Sequence, residues 1–202
     1  MKAEAFSPLV LPEVIGCPHP LLVQQVMITA NHFCNETGVW DEVQPPILTT
    51  SGVADYEIYA PPRADMLRVR GVWLDNRPLD PERMARPVVH GQYPTGYHAA
   101  LARGAITLNQ QPAEGQQLVV RAVYAPKITS DDVPDFLMAR HASAIASGAK
   151  YRLMAMPGQP WSNGPLAAYH RDQYDAAVVD ARIDMERDNT VGSLRASPRF
   201  FK

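Results

Sequence analysis

The order in which hydrophobic spacings change along the chain is the feature that most restricts its fold. Apolar residues first recur at helical intervals, then alternate as in strands from about residue 40 to 127, and then recur at helical intervals again. A single amphipathic helix before the strands cannot bury its apolar face alone. We therefore expect the first helix to pack with two later helices, with the β-rich stretch inserted between them.

The first predicted helix covers residues 19 to 37. Pro18 and Pro20 lie at its start, where proline is tolerated, and Gly38 is a typical helix-ending residue. One face of this helix carries residues spaced by three or four, namely Leu22, Val26, Thr29 and Phe33.

The β-rich stretch has two long strand candidates, at 67–74 and 118–124, and shorter ones at 56–59 and 105–108. Asp75–Asn76 and Glu114–Gly115 supply turn residues between them. Because no segment of helical length is available to connect parallel strands, we expect antiparallel pairing.

Helical spacing returns after Pro134 and continues to Met156, where Pro157 and Gly158 interrupt it. Gly148, inside this segment, is predicted to mark a close contact between two helices. Ser162 or Asn163 can cap the last helix, which extends to about residue 188. Its predicted buried stripe consists of Ala167, Tyr174, Val178, Ala181 and Met185.

Together these patterns predict an α+β fold class: a small helical bundle with an inserted antiparallel β domain and an extended C-terminal tail. The bundle would contain one N-terminal and two C-terminal helices. The predicted boundaries are 1–40 for the N-terminal arm and first helix, 41–127 for the β domain, 128–188 for the second and third helices, and 189–202 for the tail.

Charge and composition argue against two broad classes of protein. The 202 residues carry a formal net charge of −2, which disfavours a protein that binds nucleic acid over its whole surface. No run of about 20 apolar residues occurs, so no membrane span is expected. The first twelve residues lack the apolar stretch of a signal peptide, so the chain is expected to fold in the cytoplasm. Cys17 and Cys34 are interpreted as free, buried thiols in a reducing compartment.

The sequence contains none of the common motifs of zinc, nucleotide or nucleophilic-elbow sites, so no metal or cofactor is expected and an enzyme is disfavoured. An enzyme or small-ligand binder stays open as an alternative, in which His90, His98 and His141 would be the residues to test. For His141, which lies on an apolar helical face, burial against neighbours is the simpler interpretation.

The last fourteen residues have no hydrophobic period and carry three cations and two aromatic rings. Docking on an acidic protein surface, contact with nucleic-acid phosphates and a solvated end are all open interpretations. The aromatic pair favours docking, because exposed aromatic side chains are common interface anchors. The residues concerned are Arg195, Arg199, Phe200, Phe201 and Lys202.

Several short motifs occur in one order along the chain. In the C-terminal half, residues 145–153 read IASGAKYRL, followed by Pro160–Trp161, the pair Ala167–Ala168, Tyr174 and Ala181. In the N-terminal half, the motifs are FCNETGVW at 33–40, YEIY at 56–59 before Pro61–Pro62, VRGVWL at 69–74, PTGY at 94–97, and LVV at 118–120 before Pro126.

This collinear set resembles the head-to-tail adaptor (connector) proteins of tailed bacteriophages. The resemblance covers about residues 10–185, while residues 64–65, 82–89 and the tail lie outside the pattern. It implies a non-enzymatic virion protein of the head–tail neck, assembled in the host cytoplasm. Such adaptors form a twelve-subunit ring below the portal protein, and neck or tail proteins attach beneath it.

The resemblance also implies a role for the tail, because members of the family use a C-terminal extension to grip the portal. By position, Arg195, Arg199, Phe200, Phe201 and Lys202 would be that element. Genome DNA would pass through the ring without sequence-specific binding, and no membrane would be involved. The charged helix around 171–187 suits contacts between adjacent copies, although a solvated face explains it equally well. A tail-completion or tail-terminator protein, which binds the tail tube instead of the portal, is the alternative.

Overall fold

The fold is described from a computed structural model, which describes residues 1–82 and 93–187. A 3-10 helix at Ala3–Phe6 and the short helix α1 at Ser7–Val10 form an N-terminal arm, followed by helix α2 at His19–Thr37. Eight strands come next: β1 Asp41–Val43, β2 Ile47–Leu48, β3 Asp55–Glu57, β4 Ala64–Leu74, β5 Arg77–Pro81, β6 Gly96–Ala100, β7 Ala105–Leu108 and β8 Gln117–Pro126. Helices α3 at Asp135–Met154 and α4 at Gly164–Glu186 complete the described chain.

The three long helices form where the hydrophobic spacing predicts them. Helix α2 has the predicted bounds, and Gly38 ends it in the left-handed conformation, with φ of 69°. The Asn163 side chain accepts a hydrogen bond from the Leu166 amide at 3.2 Å and caps α4. The four residues of the predicted α2 stripe, Leu22, Val26, Thr29 and Phe33, are all fully buried.

The strands form one curled mixed sheet in the order β1-β8-β4-β5-β6-β7-β3, and β2 also pairs with β8. Long antiparallel pairing joins β4 and β8, and the turn at Asp75–Asn76 leads into β5 with both residues at positive φ. Strands β5 and β6 are parallel, with Asp80 opposite Gly96 and Pro81 opposite Tyr97.

The predicted fold class, a small helical bundle with an inserted antiparallel β domain, is wrong. Helix α2 packs directly against β8, and the helical core includes Ala122, Tyr124 and Ala125 of that strand. The Asn31 side chain donates a hydrogen bond to the Pro126 carbonyl at 2.9 Å, which ties α2 to the end of β8. The helices and the sheet therefore share a hydrophobic core, which a separate inserted domain would not do.

The pairing is also not wholly antiparallel. Strands β5 and β6 pair in parallel at two residue pairs, so the expectation of antiparallel pairing does not hold throughout the sheet. A second hydrophobic cluster lies inside the curl of the sheet and contains Tyr56, Leu74, Ile106, Leu108 and Leu118.

The N-terminal arm adds a layer that the sequence analysis missed. Phe6, Val10 and Val14 are fully buried, and the arm packs against α2 and α3. Their regular spacing of four residues was the available signal, although Pro8 and Pro12 break the run into short turns. In the described part of the chain, no helix combines the length and apolar character needed to cross a membrane.

Candidate interaction surfaces

Helix α4 is fixed on the other helices by close packing and by polar contacts along its length. Nδ1 of His32 lies 2.9 Å from the Tyr174 hydroxyl, and the Arg182 Nε donates to the Glu36 carbonyl at 2.9 Å. The predicted close helix contact at Gly148 is confirmed: a β-carbon there would lie 2.5 Å from Cγ2 of Thr29. These contacts hold one face of α4 inward and set the direction of the opposite face.

The opposite face of α4 is exposed and carries large apolar side chains. Tyr169 is 56% exposed, Val179 53% and Ile183 38%. Asp172 and Asp180 lie beside them on the exposed surface. Spacings of about three and four residues place these side chains along one outward line. An outward apolar line with charged neighbours is the kind of surface that a helix presents to another protein.

Strand β1 begins at a compact charged cluster. Oδ1 of Asp41 accepts a hydrogen bond from Arg121 Nε at 2.9 Å, and Arg70 Nε lies 3.1 Å from Oδ2. The Asp41 side chain is only 2% exposed, whereas both arginine side chains are about one-third exposed. A nearly buried carboxylate that bridges two cations is costly to leave unpaired, so this cluster anchors β1 to β4 and β8.

The two ends of the curled sheet approach each other and enclose a groove of about 610 Å³. One wall follows β1 into β2, the other follows β3, and Tyr124 of β8 also lines it. Nε2 of Gln44 donates to the Tyr59 carbonyl and to the Tyr124 hydroxyl, both at 2.7 Å, and so bridges the two walls. The lining residues are Glu42, Val43, Gln44, Pro45, Pro46, Ile47, Glu57, Tyr59, Ala60, Pro61 and Tyr124. No site was predicted at these residues from the sequence, and the groove was therefore missed.

The groove combines an apolar lining with a carboxylate rim. Val43 is 60% and Tyr59 69% exposed, and both face solvent without covering from the described residues. Glu42 and Glu57 are exposed, and Glu42 accepts a hydrogen bond from the Trp40 indole at 2.8 Å. This chemistry suits an extended ligand segment that carries apolar and cationic side chains.

His141 occupies a distorted point of α3. Its backbone has non-helical angles, φ −127° and ψ 19°, and its ring lies 4.9 Å from the ring of Phe33. Burial, with the nearby Arg140 charge, lowers the pKa of His141, while Asp184 opposes that shift. Half-buried packing against Phe33 agrees with the simpler interpretation of this residue.

Of the other two histidines of the enzyme alternative, His98 is the one within the described ranges, and it lies on a strand and not on α3. His98 lies on β6, where its Nδ1 is 3.3 Å from the Glu82 carbonyl, and His90 lies outside the described residues. Across residues 1–82 and 93–187, no three His, Cys, Asp or Glu residues lie close enough to hold a metal ion.

A second polar cluster fastens the N-terminal arm to the helices. Oε2 of Glu13 lies 2.7 Å from Nε2 of His170, and the Lys150 ammonium contacts Oε1. The Lys150 contact, together with His170, lowers the pKa of Glu13 against the opposing effect of burial. The cluster joins the arm to both α3 and α4, so Glu13, Lys150 and His170 have a structural role.

Both cysteines are free and buried, as predicted. Burial raises the pKa of Cys34 to about 12, so its thiol stays protonated at neutral pH. Burial also raises the pKa of Cys17, so neither thiol is expected to be reactive.

The residues predicted to grip a portal lie outside the described residues. Arg187, directly after α4, is the last described position, so Arg195, Arg199, Phe200, Phe201 and Lys202 are not among the described residues. Comparisons with known proteins found neither a matching family model nor a matching curated protein.

Proposed function

We propose that the chain is a structural head-to-tail adaptor of a tailed-phage virion. In this role, copies form a ring that attaches to the portal protein and receives neck or tail proteins, and genome DNA passes through the central channel. The protein acts through its shape and surfaces and has no catalytic step of its own.

The observation that carries the proposal is the collinear set of adaptor-like motifs between residues 33 and 181. Several of them lie at structurally important positions: Trp40 is buried where α2 leads into β1, and Gly148 lies against Thr29 and Tyr174. Trp40 and Gly148 therefore lie at contacts on which the shape of the subunit depends.

The outer face of α4 supports the oligomeric part of the proposal. Tyr169, Val179 and Ile183 expose apolar surface along one line, with acidic residues beside it. In a ring, each copy contacts its neighbour through two different surfaces related by a closing rotation. A long helix fixed along its inner face supplies one such rigid surface.

Pull-down experiments with two separate baits distinguish the adaptor from its main alternative. The full chain is mixed with purified portal and, separately, with purified tail tube of the same phage. The adaptor proposal predicts retention on the portal, weakened when residues 189–202 are deleted, because the tail supplies the grip. Retention on the tube alone would instead identify a tail-completion or tail-terminator protein.

A further inference from the structure

The groove between the two ends of the sheet has both an accessible backbone edge and a complementary side-chain lining. The outer edge of β1 pairs with no other described strand, and neither does the outer edge of β3. Backbone N–H and C=O groups on such edges are ready to pair with an added strand. An extended segment in the groove would therefore gain main-chain hydrogen bonds as well as apolar contacts.

Helix α4 ends near the strand that forms one wall of the groove. Met185, near the end of α4, lines a small cavity together with Val39, which lies two residues before β1. The Arg182 guanidinium also contacts Glu36 of α2. Helix α4 therefore ends close to Val39, three residues before Glu42, the first lining residue of the groove wall.

The length of the remaining chain is sufficient for it to follow that wall. Fifteen residues, 188–202, remain after Arg187. Extended, they reach about 50 Å at roughly 3.3 Å per residue. The stretch from Val39 to Ile47, which includes this wall, has only eight residue steps, about 26 Å on the same scale.

The charges and side-chain types of residues 189–202 also complement those of the groove. Residues 189–202 contain Arg195, Arg199 and Lys202 but no acid, and the Phe200–Phe201 pair lies directly before Lys202. The groove offers Glu42 and Glu57 at its rim, with prolines and tyrosines along its lining. Cations facing carboxylates and phenylalanines on an apolar lining are favourable pairings.

We propose that the C-terminal segment docks in this groove of its own chain while no portal is bound. The segment adds to the free edge of β1, with its cations at Glu42 and Glu57 and its aromatic rings against the lining. The proposed docking is argued from the groove and the segment alone and does not depend on the proposed function. Its consequence, that the portal must displace the segment before gripping it, rests on the proposed function.

Disulfide trapping in the full chain tests the docking. The double variant V43C/F201C places one thiol on the groove wall and one on the segment; the native Cys17 and Cys34 are buried and do not compete. Under mild oxidation we expect a cross-link within one chain, at a rate independent of protein concentration. The matched control L9C/F201C uses an exposed residue of α1 and is expected to cross-link at least tenfold more slowly.

Two outcomes would overturn the docking. Equal cross-linking in V43C/F201C and the control would show that the segment has no preference for the groove. A cross-link that forms only between chains, and rises with concentration, would show that a second copy occupies the groove. Adding R195E/R199E to the V43C/F201C variant is expected to slow cross-linking several-fold, because these changes place acids opposite Glu42 and Glu57.

Portal binding provides a readout that separates the docking from the proposed function. The variant E42K/E57K repels the segment and is expected to increase portal affinity several-fold, whereas the control E4K, on the N-terminal arm, leaves it unchanged. Trapping without any portal binding would refute the adaptor function and leave the docking standing. Portal binding without trapping would refute the docking alone.

Discussion

Gly148 of α3 lies so close to Tyr174 of α4 that a β-carbon at position 148 would come within 2.7 Å of the tyrosine Cδ2 atom. Thr29 of α2 closes the same space from the other side, with its Cγ2 atom 2.5 Å from that position. The three long helices thus meet at a point where only glycine fits. All the exposed surfaces of α4 depend on this contact, because it sets how that helix lies on the rest of the protein.

The variant G148A tests this packing. The added methyl group forces Thr29 and Tyr174 apart, so we expect a loss of about 1–3 kcal/mol in the free energy of unfolding. Urea denaturation measures the loss. The matched control is G164A at the start of α4, where an added β-carbon meets no atom within 4 Å. That variant is expected to be neutral or slightly stabilising, and equal destabilisation by both changes would contradict the close contact.

The pH dependence of stability tests the environment of His141. Burial and Arg140 lower its pKa in the folded protein, with Asp184 opposing, so the unfolded chain takes up a proton at higher pH than the folded chain does. The free energy of unfolding should therefore decrease as the pH falls through about 6.5, by at most about 1.4 kcal/mol for each unit by which the pKa is lowered.

Urea denaturation at pH 7.5 and pH 5.5 measures this effect in the parent protein and in H141Q. The parent is expected to lose more stability between the two pH values than the variant, because glutamine does not titrate. If both proteins lose the same amount, another group is responsible for the pH dependence.

The outer face of α4 is expected to form a contact between copies. The double change V179E/I183E places two charges on exposed positions of this face. We expect rings to dissociate into folded single chains, because a charge in an apolar interface must be desolvated without a partner. Analytical ultracentrifugation measures the assembly state, and circular dichroism checks the fold.

The control for that change is I15E, at an exposed apolar residue next to a turn of the N-terminal arm, 77% exposed. It introduces the same kind of charge away from α4 and is expected to leave assembly unchanged. Rings that persist in V179E/I183E would exclude this face of α4 as the contact surface.

Local patterns predicted the helices better than they predicted the fold. Spacing and end residues gave the bounds of α2, the cap of α4 and the tight contact at Gly148, because these depend on near neighbours in the sequence. The strands at 105–108 and 118–124 were also predicted, and both are present within β7 and β8.

The elements that pack on a strand could not be predicted from such local patterns. In β8, the residues from Ala122 to Pro126 are all buried, and Ala122, Tyr124 and Ala125 belong to the core that the strand shares with the helices. Alternation cannot identify a strand that is buried on both faces. The inserted domain was predicted from the order of the hydrophobic spacings, which does not show that α2 packs on β8 or that the two ends of the sheet form a groove.

Electron microscopy of the full chain mixed with purified portal tests the adaptor account most directly. The account predicts a ring of twelve copies, coaxial with the portal and attached to one of its ends, with an open central channel. Portal particles without added density, under conditions in which the chain remains folded and binds the tail tube, would contradict it.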